Sequence, residues 1–250
     1  VVVINNQAGS PISMGGTGTS GIPAVMISQA DGNLLKTVLS ASGVVNGTLN
    51  PPAVIVQDLD GSLDNGIVAH EYGHGVSNRL TGGPNNSNCL NNGEQGGEGW
   101  SDWFSLLYTL KSGDQGTTAR GIGTYALSEP TTGNGIRRYP YSTDMSINPQ
   151  TYANLALSSE VHDIGEIWCM SLWEMTWGLI DAFGFDPDWI NGQAGNNLAL
   201  RLVMEGMKLQ PCGPGFLDAR DAILQADDNL YGGAHRCIIW TAFAKRGMGA

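Results

Sequence analysis

The sequence predicts an α+β protein. Three observations point there. Short apolar runs separated by turn residues fill the first 56 positions. A stretch broken by Pro130, Pro140 and Pro149 has no period over 114–157. Long apolar or amphipathic runs then dominate the last 90 residues.

In order, Val1–Ile4, Ile22–Ile27 and Val44–Leu49 read as strands, with a short helix over Gly32–Ser40 between the last two. The opening run reads as a strand already under way, which favours a fragment or a cut inside a domain. Pro51-Pro52 marks a boundary, giving one domain over 1–50 and another over 51–250. Ala53–Val56 suggests one more strand, and Asp58–Asn65 an Asp-rich turn. Asp64 or Asn65 can cap a helix running to Leu80. A second helix is expected over Glu98–Lys111, stopping near Gly113. Ser158 or Ser159 can cap a long apolar helix through Phe183. Helices over Asn196–Leu209, Phe216–Leu230 and His235–Lys245 complete a mainly helical C-terminal lobe.

Asp and Glu exceed Lys and Arg by 23 to 12. That balance offers no electrostatic footprint for nucleic acid and none for an anionic membrane. No apolar run reaches the roughly 18 residues of a spanning helix. Few Lys, many Asn and Gly, and an acidic balance suit an extracellular protein. The four Cys are too few for a disulfide scaffold, and no CxxC suggests a thiolate metal site. Cys212 and Cys237 bracket the Phe216–Leu230 helix and are expected to pair. Cys89 with Cys169 is an alternative second pair.

The chemistry concentrates in His70-Glu71-Tyr72-Gly73-His74. Residues four apart on a helix share a face, so His70 and His74 can aim at one zinc ion. Glu71 lies about a quarter turn around. It is placed to take a proton from water on that metal rather than to ligate it. A catalytic zinc takes three protein ligands and keeps a fourth position for water. Glycines inside a helix cost about 1 kcal/mol each against Ala, so Gly73 and Gly75 imply a close backbone approach. Glu98, in Gly97-Glu98-Gly99-Trp100-Ser101-Asp102, begins the next helix and is the expected third ligand. Glu94, in the preceding loop, is its rival. Asp102 lies one turn beyond Glu98 and can fix the tautomer of a ligating His.

HEYGHGVSNRLTGGP at 70–84 and GEGWSDW at 97–103 resemble the fungalysin family of secreted metalloendopeptidases, distant relatives of thermolysin. The ARDAILQAD and AFAKRGMG segments are similar to that family's helical C-terminal lobe, so the resemblance runs over about 53–250. It implies a thermolysin-like catalytic region, one zinc ion, secretion, synthesis as a proenzyme, and cleavage of internal peptide bonds in protein or peptide substrates. It also selects Glu160-Val161-His162-Asp163, where the family places a His that hydrogen-bonds the developing oxyanion. The positive end of the helix dipole disfavours an extra proton on that ring. Two positions depart from thermolysin: Gly66 and Thr109 stand where acidic calcium ligands are expected, so its double calcium site does not carry over. VVVINNQAGSPISMGG and IPAVMISQADGNLLK resemble the second half of a protease-associated domain.

Several features have plainer readings. Gly16–Gly21 matches GxGxxG, but the strand that follows it argues against a dinucleotide site. Asp58–Ser62 superficially resembles an EF-hand loop with its Gly out of register. His235 reads as a surface residue, and Trp168, Trp173 and Trp177 as core. Among Arg137, Arg138, Tyr139 and Tyr141, one Arg or Tyr is a candidate for the oxyanion or substrate site. Two rivals to the protease reading are a binding module with a structural zinc, which would need a fourth protein ligand, and an exopeptidase, for which no terminus-binding group is identifiable.

Overall fold

The computed structural model describes residues 2–5, 25–47 and 59–249. The chain forms two compact units, Val1–Gln57 and Asp58–Ala250. The GxGxxG segment, the Ala53–Val56 run and Asp58 lie outside the described residues.

In the first unit, β1 (Val2–Ile4) pairs in parallel with β2 (Val25–Ile27), Val3 opposite Met26. Helix α1 (Gln29–Ser42) follows at once, because Ser28 Oγ accepts from Asp31 N and caps it. Gly43, at φ 72°, ends it in the left-handed region. Strand and helix meet through Gly32, where a Cβ would sit 2.3 Å from Ile4 Cγ2. The helix is longer than its apolar pattern suggested. The expected third strand does not form over Val44–Gly47, and 48–49 lie outside the described residues.

The second unit is helical. Its long helices are α2 (Asn65–Leu80), α3 (Gly97–Tyr108), α4 (Val161–Phe183), α5 (Gly195–Leu209), α6 (Phe216–Tyr231) and α7 (Arg236–Lys245). Helix α4 is apolar on nearly every side and is therefore the centre of the core. Trp168 and Trp173 are fully buried on it and Trp177 nearly so, as expected. Trp168 meets Trp100 of α3 edge-on at 4.9 Å and lies against Phe216 and Phe243. Among the described residues, no helix is long and apolar enough to cross a membrane.

Helix α3 stops three residues before the expected Lys111. Asp114 Oδ2 takes the Lys111 N–H, and Arg120 donates to both Thr109 O and Thr109 Oγ1, so the chain turns away early. The irregular stretch that follows is held at its far end by Arg246. That fully buried guanidinium donates to Glu174 Oε1 and to the carbonyls of Ser142, Asn148 and Gln150. His235 is buried, not superficial. Gly232 and Gly233, at φ 63° and 78°, fold α7 back so that His235 Nδ1 lies 2.7 Å from Asp227 Oδ1.

The cysteine pairing also differs from expectation. Cys89 bonds Cys212, Cys237 is free and exposed, and Cys169 is free and buried in α4. The reason is geometric. A 16-residue helix such as α6 is about 24 Å long, whereas a disulfide needs Cα atoms within about 7 Å. Cysteines beyond opposite ends of that helix are too far apart. The Cys89–Cys212 bridge closes a separation of 123 residues. By the chain-entropy model its loss should cost about 5 kcal/mol. Denaturant melts of the Cys89→Ser/Cys212→Ser double variant should show a loss of that order; unchanged stability would refute it.

Candidate metal centre

Helix α2 starts at Asp64, whose Oδ1 accepts from Gly66 N and Ile67 N at 2.9 and 3.2 Å. From that start, the helical period carries His70 and His74 onto one face and leaves Glu71 exposed. Gly73 is the reason α2 can lie so close to α3, since a Cβ there would be 2.9 Å from Ser101 Cα. Gly75 shows no such contact; the nearest atom to a Cβ would be Arg79 Nη1 at 3.6 Å.

Glu98 enters from the first turn of α3. The Nε2 atoms of His70 and His74 are 3.1 Å apart. Glu98 Oε2 is 3.2 Å from His70 Nε2, and Oε1 is 3.5 Å from His74 Nε2. Ligand atoms at tetrahedral zinc, about 2.0–2.1 Å from the ion, stand about 3.3 Å from one another. Glu98 Oε2 is buried without a hydrogen bond of proper geometry. Two ring nitrogens and one carboxylate oxygen thus converge with nothing between them, and the trio could hold a metal ion.

Asp102 orients this group. Its Oδ1 lies 2.7 Å from His70 Nδ1. In the neutral ring, a proton held at Nδ1 presents the Nε2 lone pair to the site. Burial opposes a charge on His70, but hydrogen bonds to Asp102 and Glu98 outweigh it and raise the ring to about 9. A cation at Nε2 would take the place of that proton. Burial lowers His74, the less tightly paired ring.

The fully buried carboxylate of Asp102 needs several donors, and the irregular stretch supplies them. Arg137 Nε donates to Oδ2 at 2.7 Å and Nη2 to Oδ1 at 2.8 Å. The Tyr141 hydroxyl donates to Oδ2 at 2.5 Å. Burial alone would raise Asp102, yet the His70 and Arg137 hydrogen bonds hold it below the usual carboxylate range. Burial and the neighbouring Asp102 charge push the Tyr141 phenol well up, so it remains a donor. Of the four candidates in that stretch, Arg137 and Tyr141 act on Asp102, Arg138 pairs with Glu166, and Tyr139 is exposed. No periodic signal marks these partners in the sequence.

His162 opens α4, where Glu160, rather than Ser158 or Ser159, is the cap. Glu160 Oε2 accepts from the backbone N–H groups of His162 and Asp163, and Oε1 lies 2.6 Å from His162 Nδ1. The carboxylate counters the helix N-terminus that the sequence reading weighed alone. His162 Nε2 stands 3.4 Å from Glu98 Oε2, beside the His70, His74 and Glu98 trio. Glu94 is elsewhere, accepting from Tyr152 Oη and Phe216 N.

The approach of His162 to Glu98 depends on two glycines. A Cβ at Gly99 would lie 2.3 Å from Gly165 O, and one at Gly165 would lie 2.5 Å from Glu98 Cβ. Helices α3 and α4 thus cross backbone to backbone. Gly165→Ala should cost about 1–3 kcal/mol through overpacking and weaken metal binding as Glu98 is displaced. Thermal melts and zinc titration of this variant would show both; normal values would mean that the crossing gives way elsewhere.

Residues 52–250 match the model of the fungalysin metallopeptidase family, M36. The chain belongs to that family. Among curated fungalysin-like relatives, an extracellular metalloproteinase of Aspergillus fumigatus is 52% identical over 199 residues. Extracellular metalloproteinase 2 of Arthroderma gypseum is 49% identical over 199 residues. A further extracellular metalloproteinase, from Pyricularia oryzae, is 49% identical over 201 residues. Each alignment covers 76% of this chain and 31% of the relative, so the chain spans about a third of the length of these fungalysin relatives. His70, His74, Glu98, Asp102 and His162 all fall inside the matched fungalysin segment.

Proposed function

We propose that the chain carries the catalytic centre of a secreted zinc endopeptidase acting on internal peptide bonds of proteins. The convergence of His70 Nε2, His74 Nε2 and a Glu98 oxygen, with Glu71 beside it, carries this reading. His70, His74 and Glu98 would hold one zinc ion, and Asp102, braced by Arg137 and Tyr141, would set the His70 tautomer. Zinc there would supply Lewis acidity and lower the pKa of water. Glu71 takes a proton from the attacking water and passes it to the leaving amine. His162 donates from Nε2 to the developing oxyanion. Glu160 Oε1, 2.6 Å from Nδ1, holds the ring in place for that contact.

Relatives named extracellular metalloproteinases support secretion and action on proteins. Residues 1–50 are proposed to be part of a protease-associated domain, with 51–250 the peptidase domain. The Arg120 guanidinium donates to both Thr109 oxygens, and whether calcium binds this chain is left open.

Zinc analysis with proteolysis before and after chelation tests the reading; a chain that neither binds zinc nor cleaves an unfolded protein would overturn it. His162→Ala isolates one role. It should bind zinc normally and lose turnover by about 10²–10³-fold, the usual loss for one oxyanion donor. Loss of the metal would make His162 a ligand. Reduced stability with normal turnover in the folded fraction would make it structural.

A further inference from the structure

A cleft of 310 Å³ adjoins the candidate metal centre, lined by His74 and Glu98, by Asn78, Asn88, Asn91 and Gln95, and by the apolar Leu90 and Val161. Asn88 and Asn91 are exposed and Asn78 and Gln95 half-buried, so their amides are open to a ligand. Each amide in the cleft offers two donor hydrogens and an acceptor oxygen. No Lys or Arg lines the space, and Glu98 lends it a negative charge. The wall is also held in place. Cys89, between Asn88 and Asn91, is bonded to Cys212, and its carbonyl accepts from Gly213 N at 2.7 Å.

We propose that this cleft is a substrate subsite selecting an uncharged hydrogen-bonding side chain, of the carboxamide class, at one position near the scissile bond. The proposal rests on the endopeptidase reading. A carboxamide matches the lining amides donor for acceptor. A carboxylate can accept from these amides but cannot donate to their oxygens, and an aliphatic side chain would displace their water without replacing its hydrogen bonds. Sites built to hydrogen-bond a substrate group discriminate strongly against analogues lacking it.

The test uses the full-length zinc-loaded protein and peptides that differ at a single position, bearing Gln, Leu or Glu. The wild-type protein should prefer Gln at one position. In Asn88→Leu/Asn91→Leu, two exposed changes, kcat/KM for the Gln peptide should fall about tenfold, as expected for two lost hydrogen bonds, while the Leu peptide is cleaved as before. Equal loss on every peptide would show that the amides hold the substrate backbone, and would overturn the proposal. So would a wild-type protein without preference for Gln at any position. Anisotropy titrations of the same peptides on Glu71→Gln give a reading independent of turnover, and should rank Gln first. Selective binding by a wild-type protein that cleaves nothing would uphold the subsite and sink the endopeptidase reading.

Discussion

Glu71→Gln is expected to keep its zinc and lose turnover by about 10²–10⁴-fold, the range usual for a positioned general base. Glu71 is exposed and stands outside the trio whose atoms converge. Its replacement leaves no buried charge unpaired, so stability should change by less than about 0.5 kcal/mol. The amide keeps the shape of the side chain and removes its ability to accept a proton. Zinc content, a thermal melt and kcat on one preparation check all three points. An emptied site would make Glu71 a ligand, and normal turnover would place the base elsewhere.

Asp102→Ala is expected to damage stability and metal affinity together. The carboxylate accepts from His70, from two nitrogens of Arg137 and from Tyr141, and it is fully buried. Removing it strands the Arg137 guanidinium, itself buried, and breaking such a pair typically costs about 3–5 kcal/mol. His70 then loses the partner that fixes its ring, a change usually worth about 10–100-fold in metal affinity. The two effects separate at subdenaturing temperature, where zinc titration reports the folded fraction alone. Undiminished affinity there would confine Asp102 to a structural role. The lowered Asp102 pKa gives a sign as well. Its contribution is present above the carboxylate's ordinary range and fades as pH falls through the folded value, so Asp102→Ala should lose part of the acid sensitivity of the wild-type protein.

The parts of the centre legible in the sequence are those fixed by helical period. His70, His74 and the Asp64 cap lie within one helix, and Glu98 and Asp102 lie within the next, so spacing alone places them on shared faces. What was not legible depends on contacts across long separations. Arg137 and Tyr141 reach Asp102 from a stretch without period, and nothing in the sequence marks Glu160 as the cap or as the partner of His162. Cysteine pairing failed for a related reason. Nearness along the chain suggested Cys237, while the fold brought Cys212 to Cys89 across most of the second unit. The glycine crossing of α3 and α4 belongs to the same group, because Gly99 and Gly165 gain their meaning only from each other.

Arg246 sets an order of events during synthesis. The stretch that delivers Arg137 and Tyr141 is fastened by a guanidinium that follows α7 in the chain. Helices α2 and α3 leave the ribosome well before it, and they carry the ring nitrogens and the carboxylate. Until Arg246 emerges, nothing on its side of Glu174 fastens the carbonyls of Ser142, Asn148 and Gln150. A nascent chain therefore displays the HExxH helix before the brace behind it can lock, and the finished centre is among the last features of this unit to set.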